Sequence, residues 1–410
     1  MNIKKRSLTF ILWLCMIVTA PAQKLHFVVT PDNTFGSISN FSEGLAKVNL
    51  KQDSVGFINT SGQFAFASTF ENAGNFHCGR AYVRATMKGQ SKFGFINEKG
   101  KIVIPLIYDE VEDFSCNRTA VNKDGIWKII DRNGHTIMND SLLITETEID
   151  DASDTAYYWE DTEPPAFHDN RMLVRNETNY GYVDTMGIIV IPCRYNAAFA
   201  FSNGVTIVAP KGVDAPDKNN APNFLDSLYN SLPDGQTSQK LSTIDTSGNL
   251  LFSFNKNQLP DLGVSFSNNL IRFQDQNNQW GFINKTGKVV VPDTLASTPE
   301  PFSDGMAILW PNKQILMRNP VPLTVIDTTG KIMSTISFVN DDGWMQDKDL
   351  LFHEGLLSVK INNLWGYVNK SGEIIIKPQF EEALGFHDRC AVVVTKEGKV
   401  AVIKNPLKNE

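Results

Sequence analysis

Residues 94–105 read GFINEKGKIVIP, and residues 281–292 read GFINKTGKVVVP. Each string sets five residues between a glycine and a Gly-Lys pair, one more than a phosphate-cradling loop has. Such a loop also needs a helix after it, and Ile-Val-Ile-Pro or Val-Val-Val-Pro is strand-forming. The informative spacing is internal: Asn97 to Gly100, and Asn284 to Gly287. An Asn or Asp side chain bonds the backbone two residues on, and a glycine three residues on closes the turn in the left-handed region as a bulge. The strings therefore read as β-hairpins.

The same spacing recurs at Asn59–Gly62, Asp131–Gly134, Asp184–Gly187, Asp245–Gly248, Asp327–Gly330 and Asn369–Gly372, eight copies in all. Five copies carry a further glycine three residues upstream: Gly56, Gly94, Gly181, Gly281 and Gly366. Pro105, Pro192 and Pro292 follow the apolar runs and are expected to stop the second strand. A second motif alternates with the first. It opens at Phe41, Phe76, Phe114, Phe167, Phe201, Phe266, Phe302, Phe352 and Phe386, and its fourth residue is Gly five times, Asn three times and Arg once. That choice implies positive φ. Four units keep twenty residues from the upstream glycine to the next Phe, which fits one buried Phe per repeat.

The chain thus reads as all-β: a tandem array of nine three-stranded meanders of roughly 40 residues, each needing a neighbour to bury its face. The ninth, from Phe386, has no second hairpin strand left. Residues 24–29 read as a strand that pairs with it, closing a propeller-like ring or capping an open superhelix. Nine three-stranded units favour the open form.

These residues resemble the WG-repeat family, whose unit runs Trp-Gly-Tyr/Phe-Ile-Asp/Asn-x-x-Gly-Lys, an apolar run, Pro, an aromatic, then Phe-Ser-Glu/Asp-Gly-Leu-Ala. Trp280-Gly281-Phe282-Ile283-Asn284 and Trp365-Gly366-Tyr367-Val368-Asn369 carry it best. The units opening at Phe114, Phe201 and Phe302 depart, with Lys128, Ser242 and Thr324 where glycine is usual, so irregular edges are expected there. The resemblance covers residues 41–403. It implies an all-β array of the kind found in bacterial secreted and envelope proteins, with a binding role and no catalytic residues or cofactor.

Residues 1–22 hold Lys4, Lys5 and Arg6, an apolar run from Leu8 to Ala20, and Ala20-Pro21-Ala22, the pattern of a secretory signal peptide. The expected destination is periplasmic or extracellular, with a mature chain from Gln23 and no transmembrane span. That chain has 35 basic against 45 acidic residues, which argues against nucleic acid as a partner. Residues 23–40 form the capping segment, 41–138, 167–210 and 241–403 the repeats, and 404–410 a tail. Between them lie an acidic insertion at 139–166, a second insertion at 211–240 with a short helix expected, and a smaller one at 337–351.

The acidic insertion has nine Asp or Glu between Asp140 and Glu163, with no Lys or Arg. Its Tyr157, Tyr158, Trp159 and Asp161 are the candidate partner-binding residues, because aromatics dominate interface hot spots. The spacing of its acids matches no EF-hand. No metal, cofactor or catalytic constellation stands out: there is no GxSxG, HExxH or GxGxxG. His77, His168, His353 and His387 share one repeat position with Ser, which makes them structural. Cys78 and Cys116 also share a position in adjacent units, as a disulfide or as two buried thiols. The expected function is a non-enzymatic scaffold for a protein or polysaccharide. The alternative is an envelope hydrolase working through loop carboxylates.

Overall fold

The computed structural model describes residues 25–32, 34–50, 54–67, 69–87, 89–139, 166–176, 179–209, 241–255, 258–260, 265–295, 298–311, 321–338 and 350–408. These residues form small antiparallel sheets, eight by hydrogen bonding, and no α-helix. The sheet order follows the sequence. β5 (Asn72–Ala73), β6 (Ala81–Met87), β7 (Gln90–Ile96) and β8 (Ile102–Tyr108) make one four-stranded meander. We call these positions A, B, C and D.

Six of the units carry a fourth strand beyond the three read from sequence, while those opening at Phe41, Phe302 and Phe352 show three among the described residues. The A strand, just before the Phe motif, is two residues long in β5 and too short to show alternation. The residues at 24–29 expected as a strand begin it late: β1 is Phe27–Asp32. It pairs antiparallel with β32 (Val400–Lys404), the C strand of the last unit, and so supplies that unit's D strand. Val29, Phe41 and Ile58 share a core with Cys390, Val392 and Val402, from opposite ends of the chain.

All eight hairpins form as the spacing predicts. Asn59 Oδ1, for example, accepts the N–H groups of Ser61 and Gln63, and Gly62 has φ 78°. The same pair of bonds recurs at Asn97, Asp131, Asp184, Asp245, Asn284, Asp327 and Asn369. At Asp327, the Thr329 hydroxyl, joined by the backbone N–H groups of Thr329 and Lys331, holds the carboxyl below its ordinary pKa.

The Phe motif makes the A–B turn. Its third residue has positive φ as well as its fourth: Glu43 54° and Gly44 80°, Asp388 50° and Arg389 65°. Both central residues of a two-residue hairpin loop are left-handed, the type I′ turn that matches strand twist. This holds at all nine Phe motifs. The third side chain then reaches the next unit and accepts the N–H of its fourth residue. Gly79 N donates to Glu43, Asn117 to Cys78, Asn170 to Cys116, Gly204 to Asp169 and Asn269 to Asn203. Gly305 N donates to Asn268, Gly355 to Asp304, Arg389 to Glu354, and Gly44 to Asp388 at 2.8 Å. The last bond returns to the first unit, so the array closes on itself. The open form favoured by the strand count is not what forms, because β1 fills the edge it would have left.

Prolines 105, 192 and 292 do not end their strands. They lie inside β8, β16 (Ile189–Tyr195) and β24 (Val289–Leu295), at register shifts opposite Gly94, Gly181 and Gly281. Among the described residues D has no partner on its far side, and a bulge there needs no proline N–H. A Cβ on Gly94 would meet Ile104 O at 2.6 Å, and one on Gly366 would meet Ile376 O at 2.5 Å. Glycine and bulged proline form one device. Where Lys128, Ser242 or Thr324 replaces the glycine, the C–D pairing shows a single shift instead of two. Those edges are more regular than the sequence suggested.

Every motif Phe is buried. The aromatic after the upstream glycine packs on the next unit's Phe: Phe57 on Phe76, Phe95 on Phe114, Tyr182 on Phe201, Phe282 on Phe302 and Tyr367 on Phe386, with centroids 4.6 to 5.0 Å apart. That contact explains the spacing of twenty residues. Cys78, Cys116, Cys193 and Cys390 are free thiols, and the Cys78–Cys116 disulfide does not form.

Gly366→Ala should lose about 1–3 kcal/mol in chemical denaturation through overpacking against backbone. Gly56→Ala should cost less, since its Cβ meets only the Phe64 ring, at 3.2 Å, and a leucine methyl. Cys78→Asp should raise stability by about 0.5–1.5 kcal/mol, as a carboxylate is a better acceptor than a thiol and Asp tolerates positive φ. An unchanged midpoint would show that the turn bond contributes nothing.

Candidate functional site

The two ends of the sheets differ. A–B and C–D turns crowd one end, while B–C and D–A connections lie at the other. The inserted segments all join strands at this second end. Residues 139–166 link β12 (Thr136–Asn139) to β13 (Phe167–His168), which is a D–A connection. Residues 211–240 link β18 (Val205–Ala209) to β19 (Ser242–Asp245), a B–C connection. Residues 337–351 lead from the end of β27 (Ile332–Phe338) to Phe352, again D–A. Tyr157, Tyr158, Trp159 and Asp161, like the helix expected within 211–240 and the leader expected at 1–22, lie outside the described residues.

At the turn end, the second residue of each Phe motif faces the following unit. The five serines donate to the next motif Phe carbonyl: Ser42 to Phe76, Ser115 to Phe167, Ser202 to Phe266, Ser267 to Phe302 and Ser303 to Phe352. Two of the histidines there, His77 and His353, meet the residue that precedes the next Phe. His77 Nε2 lies 3.6 Å from Asp113 Oδ2. Crowding by protein raises the Asp113 carboxyl pKa, against the pull of His77 and Lys47. A Cβ on Gly385 would sit 2.5 Å from His353 Cδ2, so this glycine leaves room for the imidazole, which lies tilted against His387 with ring centroids 4.6 Å apart.

For His168 the residue at the equivalent place, before the next motif Phe, is Ala200. Here a pocket of about 320 Å³ opens, lined by His168, Ala200, Ser202, Ser265 and the apolar Phe199 and Ile271, among others. Nearby, the buried Tyr182 hydroxyl donates to Phe199 O, and burial raises its pKa far above the ordinary tyrosine value. Sequence reasoning found the histidine position but not the pocket. The signal was the small residue before Phe201. Among the described residues no group of three or more His, Cys, Asp or Glu is placed to hold a metal ion. No helix there is long and apolar enough to cross a membrane.

A closed array of small antiparallel sheets with aromatic joints defines an all-β repeat protein. Residues 56–85, 93–127, 180–209, 280–309 and 365–399 match the WG containing repeat, so the chain carries that repeat at five places. Curated proteins give no match. Among solved structures, BamB from Moraxella catarrhalis is 13% identical over 93% of this chain and 100% of that one, with a TM-score of 0.39. A eukaryotic initiation factor is 10% identical over 95% of this chain and 94% of that one, with a TM-score of 0.48. The WD40 β-propeller domain of Doa1 is 12% identical over 72% and 94%, with a TM-score of 0.28. At these scores the likenesses decide nothing, and the closure rests on the chain's own hydrogen bonds.

The pairing of such a histidine with the next unit is testable at His353. Gly385→Ala should destabilise by about 1–3 kcal/mol. In a His353→Ala background most of that cost should vanish. Equal costs in both backgrounds would show that the two residues do not meet.

Proposed function

We propose that the chain is an exported, non-enzymatic scaffold. Nine WG-type units form its closed ring, and the end bearing the inserted segments holds a protein or polysaccharide in the envelope or outside the cell. The observation that supports this reading is topological. The three longest departures from the repeat all fall on B–C or D–A connections, while unit-to-unit bonds take up most of the turn end. Loops on a rigid scaffold tend to carry binding. The apolar leader at 1–22 supports export. The acidic balance of the mature chain disfavours nucleic acid.

The mature chain from Gln23 and a version lacking 140–165 would be immobilised. Each would be incubated with solubilised envelope proteins and with purified polysaccharides from its own organism. The expected result is one partner retained by the full chain and lost by the deletion. Equal retention by both would move the site off the acidic segment. Retention by neither would overturn the scaffold reading.

A further inference from the structure

We propose that the pocket between the units opening at Phe167, Phe201 and Phe266 binds a small organic monocarboxylate with an apolar body, its carboxylate seated against His168. Repetition within the chain points there. At the joint between the second and third units, His77 faces the carboxylate of Asp113. At the equivalent joint Ala200 stands where Asp113 stands, and His168 and Ala200 both line the pocket. A ligand carboxylate placed there restores the pairing that the chain builds for itself two units away.

The pocket chemistry fits that class. Ser202 Oγ is committed to Phe266 O, and Thr206 Oγ1 to Phe199 O. The His168 ring and the Ser265 hydroxyl make no hydrogen bond or ion pair with the described residues, so they are the donors left for a ligand. Among the described residues no Asp or Glu lines the pocket. The remaining walls are aromatic and aliphatic, from Phe199, Val205, Ile207 and Ile271. A volume of about 320 Å³ suits a compact ligand and is at the small end of ligand sites. The pocket lies at the turn end, so its occupancy does not depend on which macromolecule the opposite end holds.

Phenylacetate is a suitable probe, with 2-phenylethanol as its neutral counterpart. Titration calorimetry and ligand-observed NMR on the chain from Gln23 would compare the two. Phenylacetate should bind saturably, with 2-phenylethanol weaker by about tenfold or more, since a charge-assisted bond is lost. Ala200→Asp should abolish phenylacetate binding by supplying the carboxylate internally. His168→Gln should weaken it to the level of the alcohol. Asp113→Ala, at the joint that already holds its own carboxylate, should leave binding at this pocket unchanged. Absence of saturable phenylacetate binding, equal binding of acid and alcohol, or binding by His168→Gln undiminished from the native chain would each overturn the proposal. Should Ala200→Asp fail to fold, the acid–alcohol comparison and His168→Gln still decide it.

Discussion

A backbone N–H at the left-handed tip of each A–B turn needs an acceptor, and the preceding unit supplies it. Everything else in the molecule is compatible with that exchange. The type I′ turn puts two successive residues at positive φ, which is costly for most side chains and mildest for Gly, Asn and Asp. The cost is accepted because the third side chain then points into the next turn. Glu, Asp and Asn occupy seven of the nine positions, and Cys78 and Cys116 are the two weak acceptors. Individually such bonds contribute about 0.5–1.5 kcal/mol. Their importance lies in fixing how each unit sits on the last, so that the ninth meets the first.

Packing enforces the same orientation. The aromatic after each upstream glycine lies edge-on or tilted against the next motif Phe, and the glycine itself lets the bulged D strand approach. A unit deprived of its neighbour would expose both faces of a small sheet. The fold therefore has no independent parts, and stability is shared through nearest-neighbour interfaces. At the seam β1 replaces a missing hairpin strand, and Gly62 of the first unit packs closely on the Val28 backbone.

Much of this was legible in the sequence. The Asn/Asp-to-Gly spacing specified eight turns down to the bonded atoms, and the fourth residue of the Phe motif announced its φ. The third residue carried a signal that went unread: Glu43, Cys78, Cys116, Asp169, Asn203, Asn268, Asp304, Glu354 and Asp388 all bear acceptors. The A strands were invisible because two residues have no period. Pro105 misled because a proline rule for paired strands was applied to an edge strand with a bulge. The candidate site was least legible. It depends on Ala200, a residue without chemistry of its own, whose meaning appears only when its repeat equivalents Asp113 and Gly385 are seen to meet histidines.

The most direct test of the closed relay is amide hydrogen exchange at Gly44, read by NMR in the chain from Gln23. Closure predicts protection comparable to that of Gly79 and Gly305, because the Gly44 N–H donates to Asp388 from the opposite end of the chain. It also predicts that Asp388→Ala removes protection at Gly44 first. Exchange at the rate of an unprotected turn in the native chain would contradict closure and return the molecule to an open array.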